Sequence, residues 1–225
     1  MKPSQQQIQQ LKDYLNTTLN YRETYEEVYD HIISAIETER DGITFEQAIN
    51  NIIDADFGGH KNLLKVEKRI KDSVVAETFN GYLAIFTGYF KIPALFYVMA
   101  FGAALFYPIS IIHFTHVQIV FILFILALIP GITTLLRLYK TGYILGVKKT
   151  SARDKIFARL AHFPCHLFLM ASIFVPMLSK NQYNIWQSLN PYTITALLVL
   201  GVLYNLSLYK LYKNEFKFFL KDTTK

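Results

Sequence analysis

Apolar positions along the chain follow two regimes that change near residue 80. Before it they recur every three or four residues, the spacing of one helix face. Ser4 is placed to N-cap a helix whose apolar positions are Ile8, Leu11 and Leu15. Tyr25, Val28, Tyr29, Ile32 and Ile36 form a second stripe, and Asp41-Gly42 breaks that helix. Thr44 with Gln47 is a capping-box signal for a third helix, with Phe45, Ala48, Ile49, Ile52 and Ile53 on its buried face. Gly58-Gly59 interrupts again before a basic helix carrying Leu63, Val66, Ile70 and Val74. With no alternating strand pattern, these stripes predict a bundle of three or four short helices.

After residue 91 the periodic pattern gives way to four apolar runs, 92–112, 117–136, 157–178 and 192–212. Each reaches the ~20 residues that a helix needs to cross a hydrocarbon core ~30 Å thick. The aromatic stretch FNGYLAIFTGYF, residues 79–90, lies between the regimes. One helix from 79 to 112 would reach ~51 Å at 1.5 Å per residue, too long for a single crossing, and Pro93 favours a bend or a helix start. The stretch is therefore read as an interfacial helix, or the last turns of the preceding one, resting on the membrane through Phe79, Tyr82, Phe86 and Tyr89, with a fifth, re-entrant segment as the competing reading. The expected fold is all-α: a cytoplasmic helical domain at 1–78, an aromatic linker at 79–91, and a four-helix transmembrane domain at 92–225.

Charge adds an orientation. Residues 1–91 hold fourteen of the seventeen acids against ten Lys and Arg, a local charge of −4. Only Asp154, Glu215 and Asp222 are acidic afterwards, against thirteen basic residues. Seven of those lie at 137–159 (Arg137, Lys140, Lys148, Lys149, Arg153, Lys155 and Arg159) and five in the tail, at Lys210, Lys213, Lys217, Lys221 and Lys225. HFTH, 113–116, has none, and 179–191 has only Lys180. By the positive-inside rule both termini face the cytoplasm. Tyr107, Tyr183, Trp186 and Tyr192 then belong to the outer aromatic belt, and Tyr139, Tyr143, Tyr209 and Tyr212 to the inner one. No cleavable signal peptide is expected, because MKPSQQQIQQ is polar. The single cysteine, Cys165, excludes an intramolecular disulfide.

Two clusters raise the question of chemistry. Glu27, Asp30 and His31 lie close in sequence, but at ~100° per residue they fall opposite or beside the apolar stripe of their helix. Glu27 and His31 are spaced to pair on the helix surface. One helix supplying one carboxylate and one imidazole does not close a metal site, and His60 has no ligand partner at a recognisable spacing. In the third span His162, Cys165 and His166 are candidates for metal, haem or proton transfer, since polar residues inside a span are functional candidates by default. Two imidazoles on one helix face cannot approach an iron from opposite sides; His113 and His116 belong near the outer surface, and Pro164 disturbs the helix. These histidines therefore read as interfacial, with no catalytic residue, metal or cofactor expected. There is no GxSxG, HExxH or GxxxxGK[ST] motif. The basic segments beside membrane ends read as attraction to anionic lipid rather than to nucleic acid. Opposite charge also makes the basic connection at 137–159 a docking site for the acidic head.

The order Tyr29-Asp30-His31, Ala35 and Glu37, then Gly42-Ile43-Thr44-Phe45-Glu46-Gln47-Ala48 and the turn Phe57-Gly58-Gly59 resembles small bacterial membrane proteins with a HAAS-type signalling domain. The resemblance covers roughly residues 1–75. It implies a sensory, regulatory or accessory protein of the bacterial cytoplasmic membrane, from a group typically encoded beside PadR-type regulators, and it carries over no catalytic position. The expected function is a non-enzymatic signalling or accessory module that contacts the lipid bilayer and binds a protein partner through Glu27, Asp30 and His31. The alternatives are an accessory subunit of a transport or secretion complex, or a metal- or haem-binding protein using His162 and His166.

Overall fold

The computed structural model describes residues 3–38, 42–112, 114–141, 149–178 and 189–222. Among these residues there are eight α-helices and no strand. In chain order they are α1 (Gln5–Thr18), α2 (Arg22–Thr38), α3 (Phe45–Phe57), α4 (His60–Gly88), α5 (Ala94–Ile111), α6 (His116–Thr141), α7 (Ala152–Leu178) and α8 (Pro191–Asp222). The chain divides into two compact units. The first is Met1–Thr78 with Gly142–Ile156, and the second is Phe79–Thr141 with Phe157–Lys225.

In the first unit, local sequence signals set where helices begin and end. Ser4 accepts from Gln7 N at 3.3 Å while its own N–H donates to Gln7 Oε1 at 2.8 Å. Thr44 and Gln47 repeat this reciprocal box at 3.3 and 3.1 Å, so two otherwise unpaired N–H groups are satisfied at each helix start. Gly58 ends α3 in the left-handed conformation, φ 71°, and Gly59 N closes the turn on Ile53 O at 3.0 Å. The stripes then meet: Leu11 and Leu15 of α1, Val28, Ile32 and Ile36 of α2, Ile52 and Ile53 of α3, and Leu63 of α4 are buried in one core. Each such side chain contributes about 1.5–3 kcal/mol of transfer free energy.

The aromatic stretch after Thr78 is not a separate element. α4 continues through it to Gly88, and two turns, Tyr89 N to Phe86 O and Phe90 N to Thr87 O, end it. Residues 79–88 are thus continuous with the helix that begins at His60. Pro93 stands at the N-cap of α5, as its missing N–H favours.

Among the described residues four helices are long and apolar enough to cross a membrane: Ala94–Ile111, Val117–Leu136, Ala152–Ile173 and Pro191–Asn214. Within the second unit α8 organises the others through polar groups at consecutive positions. Pro130 of α6 has no N–H, so the carbonyl of Leu126, four residues earlier, loses its helical donor. Asn205 of α8 supplies one: its Nδ2 donates to Leu126 O at 3.0 Å and to Gly201 O of its own helix at 2.8 Å. Pro164 of α7 likewise frees the carbonyl of Leu160, and the Tyr204 hydroxyl donates to that oxygen at 2.5 Å. α7 continues through Pro164, with the bond that the proline removes supplied from α8. Gly201 brings α8 close enough for this, because a Cβ there would lie 3.1 Å from Leu126 Cγ and would overlap Cδ2. On α5, by contrast, a Cβ at Gly102 would sit 3.8 Å from Val199 Cγ2, ordinary contact.

Of the expected aromatic belts, Tyr107, Tyr139, Tyr192 and Tyr209 are exposed, as bilayer-facing rings would be. Tyr143, Tyr183 and Trp186 lie outside the described residues, as do His113, Lys148, Lys180 and Lys225.

Candidate functional site

α2 presents two faces with different work. Val28, Ile32 and Ile36 are fully buried, while Tyr25 and Tyr29 stack on each other at the core's edge, centroids 6.0 Å apart and planes 6° apart. Glu27, Asp30 and His31 are exposed. The structure separates the three. Among the described residues neither Glu27 nor Asp30 uses its side chain in a hydrogen bond or ion pair. His31 does not pair with Glu27 as the i,i+4 spacing predicts. It reaches across to α3, where Nε2 lies 2.7 Å from Asp56 Oδ2 and the ring meets Phe57 edge-on at 5.2 Å. Tertiary packing supplies a partner that no helical spacing contains.

His60 gains a partner in the same way. Its Nδ1 is hydrogen-bonded to the Tyr14 hydroxyl, and the two rings meet at right angles, 5.5 Å between centroids. They stand beside an open hollow of about 400 Å³ lined by Gln10, Leu11, Phe45 and Ile49 among others.

Two acids of the first unit hold its corners. Glu67 of α4, 5% exposed, accepts from Asn20 N at 2.5 Å, Tyr21 N at 2.9 Å and Asn20 Nδ2 at 3.0 Å, which fastens the α1–α2 corner. Its signal in the sequence is an acid one turn after Leu63, where the stripe calls for an apolar residue. Glu23, in the first turn of α2, receives residues 151–153. Its carboxylate accepts from the Ser151 hydroxyl, from Ala152 N at 3.0 Å and from Arg153 N at 3.4 Å. Burial alone pushes the Glu23 carboxyl up. The Ser151 hydroxyl and the N–H groups of Ala152, Glu23 and Arg153 outweigh it, and the pKa falls below the ordinary 4.5.

The same connection returns a cation. Lys149 Nζ donates to Asn16 O at 2.7 Å and to Leu19 O, carbonyls at the C-terminal end of α1. Burial lowers its pKa from the ordinary 10.5, and the Glu67 charge opposes that shift. Thr150 bridges to Tyr21 through Arg22 N to Thr150 O at 3.3 Å, and Arg153 lies 3.6 Å from Glu77. Among the described residues the connection and the acidic helices meet mainly through caps and carbonyls, with Arg153 near Glu77 as a direct charge pair.

His162 and His166 are exposed along α7 and Cys165 is half-buried. The His162 ring lies beside Gly131, whose added Cβ would sit 3.8 Å from it. Among the described residues no three His, Cys, Asp or Glu side chains converge as a metal-binding group.

Compared with protein-family models, curated protein sequences and solved structures, the chain matches none.

Proposed function

We propose that this chain is a non-enzymatic integral protein of a bacterial cytoplasmic membrane, a regulatory module whose first unit lies in the cytoplasm and binds a protein partner. The observation that carries the reading is the division of labour among the acids. Glu23 and Glu67 are spent on internal caps, whereas among the described residues Glu27 and Asp30 project from a well-packed helix with no side-chain hydrogen bond or ion pair. Charged groups that serve no fold and stand on a rigid scaffold are recognition material. His31 contributes by fixing α2 to α3, so Glu27 and Asp30 make the sharper pair to test. The likeness to HAAS-type proteins, typically encoded beside PadR-type regulators, points to a cytosolic regulator as the partner. The positive-inside distribution supports cytoplasmic termini, and no nucleic-acid contact or cofactor is assigned.

The experiment is cross-linking in intact cells followed by purification in mild detergent, with wild type and E27A/D30A side by side. Wild type should retain a stoichiometric partner. The double variant should keep its helical circular dichroism and lose most of that partner. Equal recovery from both would overturn the assignment of this face.

A further inference from the structure

The first turn of α7 is capped by a residue far away in sequence, and that arrangement has a mechanical meaning. A helix leaves its first N–H groups without internal partners, and a neighbouring side chain normally supplies the acceptor. Ser151 does so for Asp154 N, at 3.2 Å. The N–H groups of Ala152 and Arg153 are instead satisfied by Glu23, at 3.0 and 3.4 Å, and Glu23 also accepts a hydrogen bond from the Ser151 hydroxyl. A carboxylate at this end is favoured by the helix dipole as well. The cap is matched by its complement: Lys149, just ahead of α7, sits on the carbonyls that end α1. An anion from α2 holds the start of one helix, and a cation from that helix's lead-in holds the end of another.

Two features turn this from a fastening into a device. α7 continues from its capped turn at Ala152 to Leu178 as one helix and includes a segment fit to cross the membrane. α2 carries Glu23 in its first turn and Glu27 and Asp30 one and two turns further on. We propose that Glu23 is a releasable cap, through which the packing of α2 controls the order of the first turn of the third membrane helix. This rests on the reading of α2 as the partner-binding helix: a partner seated on Glu27 and Asp30 would act on the element that holds α7.

Hydrogen–deuterium exchange on the full chain in lipid nanodiscs tests the device without needing the partner. In E23A the amides of 152–154 exchange at least about fivefold faster than in wild type, the factor that matches loss of a ~1 kcal/mol cap, while residues 48–53 of α3 keep their protection. I36A, at the far end of α2 from Glu23, also speeds exchange at 152–154 but adds nothing in the E23A background. E23Q, which keeps the shape and weakens the acceptor, gives an intermediate rate and serves as the test variant if E23A loses the protection at 48–53. Unchanged exchange at 152–154 in E23A or E23Q, or an I36A effect of equal size in both backgrounds, overturns the proposal. Failure of the partner reading shows elsewhere, as undiminished capture by E27A/D30A, so the two can fail separately.

Discussion

Asn205→Leu offers a direct measure of how α8 holds α6. The two side chains are similar in size, so the substitution removes an amide and creates little cavity. It leaves the Leu126 carbonyl without the donor now 3.0 Å away, and Pro130 ensures that no helical N–H replaces it. An unsatisfied buried acceptor costs ~1–3 kcal/mol, while polar contacts between membrane helices average ~0.6 and reach ~1.7 kcal/mol. A loss of about 1 kcal/mol is the expected value. The informative quantity is its dependence on the proline. In a Pro130→Ala background the backbone regains the missing N–H, which donates to Leu126 O within the helix. There Asn205→Leu should cost about 0–0.3 kcal/mol, a coupling near 1 kcal/mol. Reversible unfolding in bicelles, followed by circular dichroism across a detergent titration, provides the four corners of the cycle. An equal Asn205→Leu cost in both backgrounds would refute the argument that Asn205 is there to satisfy the freed carbonyl.

Other consequences follow from the same geometry. Tyr204→Phe should destabilise by ~0.5–1.5 kcal/mol with Pro164 present and by much less with Pro164→Ala, read by the same unfolding assay. Gly201→Ala should cost ~1–3 kcal/mol because its Cβ would overlap the Leu126 side chain, while Gly102→Ala, with 3.8 Å to Val199, should be neutral or stabilising. Glu23 has a lowered pKa, so its cap is complete above the ordinary 4.5 and is lost as pH falls through the depressed value. A 13C titration of its carboxyl should give a midpoint below 4.5, and Ser151→Ala should move that midpoint up.

Periodicity carried most of the architecture. The stripes on α1, α2 and α3 supply the buried core, with Tyr25, Tyr29 and Ile49 packed at its edge, and the two Ser/Thr-x-x-Gln boxes sit at the helix starts. These features are local, and a local code can be read without the fold. The partners of polar residues were not legible for the opposite reason. His31 finds Asp56, His60 finds Tyr14, and Glu23 finds Ser151 across 128 positions, and nothing in the spacing of either member announces the other. Opposite charge did identify that the acidic and basic segments meet. It did not reveal the form, in which Glu23 and Lys149 mainly address backbone N–H and C=O groups that only exist once the helices have formed.

The same logic explains why α8 carries Tyr204 and Asn205 side by side in an apolar span. Prolines in α6 and α7 are tolerable at membrane depth only if something satisfies the carbonyls they strand, since lipid offers no donor. Tyr204 and Asn205 are adjacent in sequence, about 100° apart around the helix, and so face two different neighbours at one level. A single turn of α8 therefore answers Pro164 on one side and Pro130 on the other. Neither proline needs to be a hinge for this to matter. Each removes an internal bond that would have made its helix self-sufficient and replaces it with one that requires α8 at a fixed height and rotation. The packing of three helices is thereby specified by geometry that apolar contacts alone, alike in protein and lipid, leave degenerate. On this account exchanging Tyr204 and Asn205 would keep composition and hydropathy while breaking both bonds, and the swapped chain should unfold at lower detergent fraction than either single variant. A swapped chain as stable as wild type would show that the two bonds do not set the packing.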